Sequence, residues 1–265
     1  MLLILNLCHI VFILSNPFIF EYMRQTKVTL DINCDLGEGM PNDSMLMPYL
    51  GSCNIACGGH FGDLETIKSA ILLAKENHVK VGAHPSYPDK ENFGRKSLKI
   101  DLKTLEESLL DQITNFEKVC FDQNIDMHHI KPHGALYNDL AKDEKLASFF
   151  LTLIQKFFQD IPLYTPPNSI IFQLAPQFNI KTVLEVFADR SYEDDLRLVD
   201  RSHSKALLTE VVDVKEHIHS MIFDQKVKTI SGKKIDIKAE TLCIHGDNPS
   251  ALPILQMIHS NFSIK

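Results

Sequence analysis

The chain has 265 residues, 45% of them hydrophobic, and carries 27 basic against 34 acidic side chains for a formal charge of −7, the balance of an ordinary globular protein. At about 150 residues per domain this is one or two domains, or a single barrel of the same length. Disorder, collagen and coiled coil are excluded by composition. The acidic balance excludes a general nucleic-acid binder, which needs a basic face to displace counterions from phosphates. No run of Lys or Arg offers a dock on a membrane surface.

Residues 1–20, MLLILNLCHIVFILSNPFIF, depart from this composition. The apolar run 2–14 has the length of a signal-peptide core and is short for a membrane span. No Lys or Arg precedes it, no small-residue cleavage site follows, and Asn16-Pro17 would interrupt a spanning helix. We read residues 1–22 as upstream sequence ahead of a start at Met23, with a signal or anchor segment as the alternative, and 23–265 as one domain.

From residue 27 short apolar runs alternate with longer periodic ones. A strand is predicted over 28–33, and a second over 53–56. A helix over 63–78 follows, with Ile67, Ala70, Ile71 and Ala74 on one face and Asp63 as a natural N-cap. A third strand, 79–82, leads to a helix over 101–124 with the stripe Leu102, Leu105, Leu109, Ile113, Phe116 and Cys120. Strand 126–130 is followed by helix 143–159, strand 161–164 by a weaker helix over 168–177 that carries Pro176 near its end, and strand 182–187 by helix 209–224. A hairpin is expected between 227–230 and 235–237 around Ser231-Gly232-Lys233-Lys234, as an excursion. The last strand, 241–244, precedes a helix over 249–260 with Pro at its first turn. Strand alternating with helix implies parallel strands joined by right-handed crossovers. About seven such units predict a (β/α) barrel-like α/β fold, with an open doubly wound sheet as runner-up.

Six cysteines, at 8, 34, 53, 57, 120 and 243, are too sparse for a disulfide framework and fit a reduced, cytoplasmic protein. Cys53 and Cys57 lack the second pair that a zinc ribbon needs.

The polar residues collect behind the strands. The first run ends in Asn33-Cys34-Asp35-Leu36-Gly37-Glu38, the second in Gly58-Gly59-His60-Phe61-Gly62-Asp63, the third in Ala83-His84-Pro85 and the fourth in Lys131-Pro132-His133-Gly134. Two later ones end in Ala188-Asp189-Arg190 and His245-Gly246-Asp247. Strand C-termini line one mouth of a barrel, so six ends carrying Asp or His predict one convergent site. Asp35 and Asp63 have a second reading as helix caps. His60, His84, His133 and His245 follow strands directly and neighbour Gly or Pro, whereas His78, His128, His129, His203, His217, His219 and His259 read as structural or solvated. Lys131 suits an acidic substrate or a solvated loop; Arg95 and Arg190 suit a carboxylate or a structural ion pair. No phosphate loop GxxxxGK[ST], no GxGxxG, no GxSxG elbow and no HExxH occurs. What remains is Asp and His chemistry: general acid–base work, metal-assisted hydrolysis, or both.

The segments DINCDLGE, NIACGGHFGD, VGAHPSYPD with FGRK, KPHGALYN, EVFADRSY and CIHGDNPSAL closely resemble the LamB/YcsF family, in order from about Val28 to the C-terminus. The resemblance implies a barrel related to polysaccharide deacetylases and glycoside hydrolases. It also implies work as the A subunit of a cytoplasmic 5-oxoprolinase, which opens the lactam of 5-oxoproline to L-glutamate with ATP and partner subunits B and C. Read together with the strand-end pattern, it gives catalytic work to Asp35, His84, His133 and Asp189. Substrate binding falls to Asn54, His60, Arg95, Lys131, Arg190, His245 and Asp247. Any divalent metal would sit on Asp35, His60 and His84. Two alternatives stand beside it: a metal-dependent deacetylase of an N-acetylated sugar, and a non-catalytic organising subunit. The chain departs from the family pattern at Cys53, at Gly59-His60-Phe61 where Phe-His-Ala is usual, at Ser86-Tyr87 in place of Gly-Phe, and at Thr165–Asn168 in place of a Gly-containing loop.

Overall fold

The computed structural model describes residues 30–262; the apolar N-terminal segment and the proposed start at Met23 lie outside them. Seven strands, β1 (Asp31–Leu36), β2 (Ser52–Ala56), β3 (Lys80–His84), β4 (Met127–Ile130), β5 (Leu163–Thr165), β6 (Thr182–Phe187) and β9 (Thr241–His245), close into a barrel in the order β1-β2-β3-β4-β5-β6-β9. Every neighbouring pair in it is parallel, as the strand–helix alternation predicts. The remaining two strands, β7 (Lys226–Lys228) and β8 (Lys234–Asp236), form the expected antiparallel hairpin outside the barrel.

The helices of the described residues are α1 (Asp43–Leu46), α2 (Leu64–Glu76), α3 (Leu102–Asp122), α4 (Gly134–Leu140), α5 (Glu144–Phe157), α6 (Ile170–Leu174), α7 (Val211–Ile222) and α8 (Ala251–Asn261). Asp63 caps α2 by accepting from the amides of Glu65 and Thr66, and Thr66 Oγ1 accepts in return from the Asp63 amide. Its capping reading is therefore the one realised. The weak helix near 168–177 is the short α6 followed by a 3-10 turn over Ala175–Phe178, because Pro176 has no N–H to donate. The short α1 and α4 are absent from the sequence reading; α4 starts in a Pro-His-Gly run that reads as loop. The barrel's outer face, with Ile32, Cys34, Ile55, Val81 and Ile244, buries against the apolar stripes of the helices, such as Leu109, Ile113 and Phe116 of α3.

The strand interior is polar, and this shifts β1. Its predicted span, 28–33, stops where Asn33 and Asp35 interrupt the apolar run, yet the strand continues to Leu36 with both side chains pointing into the lumen. Thr241 Oγ1 donates to Asp31 Oδ2 (2.7 Å), Asn33 Nδ2 donates to Thr241 Oγ1 (2.8 Å), and Asn54 Nδ2 donates to Asn33 Oδ1 (2.7 Å) and Asp35 Oδ1 (2.8 Å). His129 Nε2 donates to Asn54 Oδ1 at 2.6 Å, and its ring stacks on Tyr164 at 3.9 Å. A ladder of side-chain hydrogen bonds thus climbs the lumen from Asp31 to Asp35, and each of its buried polar groups finds a partner.

His129 fits only because β3 carries Gly82: a Cβ there would stand 2.2 Å from His129 Nε2. Gly82→Ala is therefore expected to lower stability by about 1–3 kcal/mol through overpacking, read as a lower urea midpoint. An unchanged midpoint would show that the lumen has room this packing does not leave.

Candidate active site

The C-terminal ends of the strands open into a cavity of 820 Å³, lined among others by Asp35, His84, Lys131, His133, Glu185 and His245. Lys131, just past β4, is 2% exposed. Its ammonium lies 2.8 Å from Asp35 Oδ1 on β1, 2.9 Å from Glu185 Oε1 on β6 and 3.1 Å from Cys243 Sγ on β9. Burial alone would raise the Asp35 carboxyl, but the Lys131 ammonium outweighs it and holds Asp35 well below the usual carboxylate range. Burial would likewise lower Lys131, and Asp35, Cys243 and Glu185 together hold it well above the ordinary amine value. Both groups are charged at neutral pH, and Asp35 keeps Oδ2 for other partners.

Three imidazoles stand beside that carboxylate. His84 Nδ1 meets the Lys131 carbonyl at 2.7 Å, and His133 Nε2 meets the Phe93 carbonyl at 3.0 Å. Carbonyl oxygens only accept, so these two nitrogens carry the protons. Their other nitrogens, His84 Nε2 and His133 Nδ1, face each other at 3.0 Å. His84 Nε2 is 3.5 Å from Asp35 Oδ2 and 3.9 Å from Glu38 Oε1, and His133 Nδ1 is 3.3 Å from Glu38 Oε1. His60 stacks flat on His133, ring centroids 3.7 Å apart, and donates from Nε2 to Glu38 Oε1 at 2.9 Å. Burial first, then the neighbouring imidazoles, push His133 well below the ordinary histidine value; burial also lowers His60. The close approach behind His133 depends on Gly134, with φ at +55°, where a Cβ would lie 2.6 Å from the Gly94 carbonyl oxygen.

Two sets of metal-ligating groups result: Asp35, His84 and His133, and Glu38, His60 and His133, each with its ligand atoms within 4.8 Å of one another. The expected Asp35–His60–His84 set is corrected accordingly. His60 turns its Nε2 to Glu38, and His133 takes the place beside Asp35 and His84.

Asp189 is fully buried and does not line the cavity. It accepts from His245 Nδ1 (2.9 Å), the His245 amide (3.1 Å) and Asn248 Nδ2 (2.9 Å), which leaves Nε2 as the free nitrogen of the His245 ring. His245 pairs in register with Asp35 across β1 and β9. Asn54 is likewise buried, its amide spent on Asn33, Asp35 and His129, so it positions Asp35 rather than facing the cavity. Arg190 donates to the carbonyls of Ala206 and Val199 and so ties down the 190–208 loop. Arg95 and Arg201 both pair with Asp247 Oδ2, at 2.5 and 3.1 Å, on the cavity rim.

The LamB/YcsF family model matches residues 30–265. The chain belongs to the LamB/YcsF family. The A subunit of 5-oxoprolinase from Haemophilus influenzae (strain PittEE) is 38% identical over 229 residues, which is 86% of this chain and 94% of the relative. That of Pyrococcus horikoshii is 38% identical over 234 residues, 86% of this chain and 92% of the relative. The lactam utilization protein of Thermus thermophilus superimposes with a TM-score of 0.82 at 29% identity, over 90% of this chain and 98% of that one.

The family departures at Gly59 and Phe61 leave the cavity lining untouched. A Cβ on Gly59 would fall 2.3 Å from Gln112 Oε1, the group that accepts from the Ser86 amide, while Phe61 packs beside Phe93. The sequence reading passed over two acids of this site. Glu38 sits in the quoted run after β1, and its signal was there: an acid two residues beyond Leu36, at a strand C-terminus. Glu185 lies inside an apolar strand, where one acid in EVF reads as surface. Among the described residues no helix is long and apolar enough to cross a membrane, and the five described cysteines are free and buried.

Several histidines are held neutral by burial. His129 lies well below its ordinary value, and His217 on α7 is pushed down to about 4. Each has a depressed folded-state value, so below the unfolded value near 6.5 the unfolded chain binds the proton that the fold rejects. Their contribution to stability is complete above about pH 6.5 and is lost as pH falls, for His217 down to about 4. The urea midpoint is therefore expected to fall from pH 7 to pH 5, and His217→Gln to flatten that slope. A midpoint independent of pH over this range would contradict the burial of neutral imidazoles.

Proposed function

We propose that this chain is the A subunit of an ATP-dependent 5-oxoprolinase and carries out the hydrolytic part of opening the 5-oxoproline lactam to L-glutamate, with partner subunits B and C. The observation that carries the reading is an ionised, oriented Asp35 beside the Asp189–His245 pair at one cavity, in a chain 38% identical to relatives named as the A subunit of 5-oxoprolinase.

A five-membered lactam is an unstrained amide, so its carbon must be activated before water attacks. ATP, handled with the partner subunits, phosphorylates the amide oxygen. Water then adds to that carbon, activated by Asp35. The carbon–nitrogen bond breaks, and the two protons of the water end on the departing nitrogen, relayed by Asp35 and His245. The product is γ-glutamyl phosphate, which a second water converts to glutamate and phosphate. Asp189 fixes the His245 ring with Nδ1 protonated and stabilises its imidazolium form, the arrangement that lets a histidine pass protons in either direction. Arg95 and Arg201, whose forks are only partly used by Asp247, receive the substrate carboxylate. His84 serves as orienting group rather than acid, because its Nδ1 proton is committed to the Lys131 carbonyl.

Asp35→Asn is expected to lower glutamate release by the complete three-subunit mixture by about 10²–10⁴-fold, the usual worth of such a group, with an unchanged circular dichroism spectrum. Activity near that of the unsubstituted complex would remove Asp35 from the chemistry. Full activity after each strand-end acid and histidine is replaced in turn would favour an organising subunit instead.

A further inference from the structure

Asp35, His84 and His133 present acceptor atoms to one another, Glu38 Oε1 approaches the two imidazole nitrogens, and with both imidazoles neutral no proton lies between them. Carbonyl partners fix the protons of His84 and His133 on their outward nitrogens, so two lone pairs meet at 3.0 Å, with carboxylate oxygens at 3.3, 3.5 and 3.9 Å. Lone pairs so placed repel unless a cation lies among them. Ligand atoms bound at about 2.0–2.1 Å to one ion stand about 3 Å apart at right or tetrahedral angles, close to the 3.0, 3.3 and 3.5 Å of the His84–His133, Glu38–His133 and Asp35–His84 contacts, while Glu38 to His84 is longer at 3.9 Å.

Charge leads to the same place independently. Asp35, Glu38 and Glu185 are all buried, and among the described residues Lys131 is the one ammonium set among them. Glu38 has only the His60 Nε2 proton at 2.9 Å. Buried carboxylates in excess of their cationic partners call for a further positive charge. The surroundings also match those of a metal centre. Each ligating imidazole gives its other N–H to a backbone carbonyl, which fixes tautomer and ring plane, and His60 clamps the His133 ring by stacking. All four ligand residues line the cavity, so a fifth position is open to substrate or water.

We propose that this chain binds one divalent transition-metal ion through Asp35 Oδ2, Glu38 Oε1, His84 Nε2 and His133 Nδ1. The two nitrogen and two oxygen donors suit zinc, cobalt or manganese better than magnesium or calcium, which prefer all-oxygen sites. When bound, such an ion polarises water or a carbonyl oxygen. Its use on a lactam rests on the function proposed above; its existence rests on the four atoms alone.

The test is made on the chain by itself, without ATP, partners or 5-oxoproline. Chelator-treated protein is titrated with cobalt(II), followed by visible absorption, and with zinc, followed by calorimetry. The expected result is one equivalent bound, with a cobalt spectrum free of thiolate charge transfer. His84→Gln and His133→Gln are each expected to weaken binding by at least about 100-fold, the upper range for disturbing even an outer-shell partner. The native chain, needing no variant to fold, already decides the matter. No binding by it, binding carried by a cysteine, or a 15N spectrum showing one proton shared between His84 and His133 in the presence of zinc overturns the proposal. Metal binding with no glutamate release from the assembled complex would sink the lactam reading and leave the metal site. Glutamate release unaffected by chelation, together with no binding, would do the reverse.

Discussion

Lys131 places one positive charge inside a barrel that otherwise collects negative ones. Its ammonium reaches Asp35, Glu185 and Cys243, so it ties the chain just past β4 to β1, β6 and β9 across the lumen. Desolvating an ammonium and a carboxylate costs several kcal/mol each, recovered only with good geometry and further hydrogen bonds. Asn54 supplies one such bond to Asp35, and the ladder below it locks Asn54 in turn. Removing either member of such a pair typically costs about 3–5 kcal/mol, because the other is left buried and unpaired. The same contact that closes the lumen therefore fixes the charge and the direction of Asp35.

Around that fixed carboxylate the strand ends divide the work. On one side the Asp189–His245 pair offers a nitrogen free to exchange protons. On the other, His84 and His133 are stripped of protons on the face they share with Asp35 and Glu38. A barrel suits this because its parallel strands deliver neighbouring side chains in register, as with Asp35 and His245 on β1 and β9. The helix ring outside supplies the apolar burial, which frees the lumen for polar groups.

Much of this was legible in the sequence. The strand–helix alternation gives the seven-stranded barrel and its excursion hairpin, since parallel strands buried on the outer face read as short apolar runs. The Asp and His residues behind those runs give most of the cavity lining. What the pattern hides is the lumen. Asn33, Asn54, His129 and Glu185 are polar groups inside strands, and a rule that places apolar residues inside moves the end of β1 three residues too early and passes over Glu185. Direction is hidden too: Asp189 and Arg190 stand at an expected strand end, yet their side chains turn to His245 and the 190–208 loop, and Asn54 inside β2 turns to Asp35. The exchange of His60 for His133 in the metal set has the same origin, because which ring nitrogen faces inward depends on backbone carbonyls far away in sequence.

The central claim is that Lys131 holds Asp35 ionised at the heart of the site. It is tested most directly by a carboxyl 13C titration of the Asp35 side chain in chelator-treated protein between pH 7 and pH 4.5. The account predicts that Asp35 stays ionised throughout this range. A midpoint above pH 5 would contradict it, since the buried carboxyl would then be governed by desolvation rather than by its ion pair.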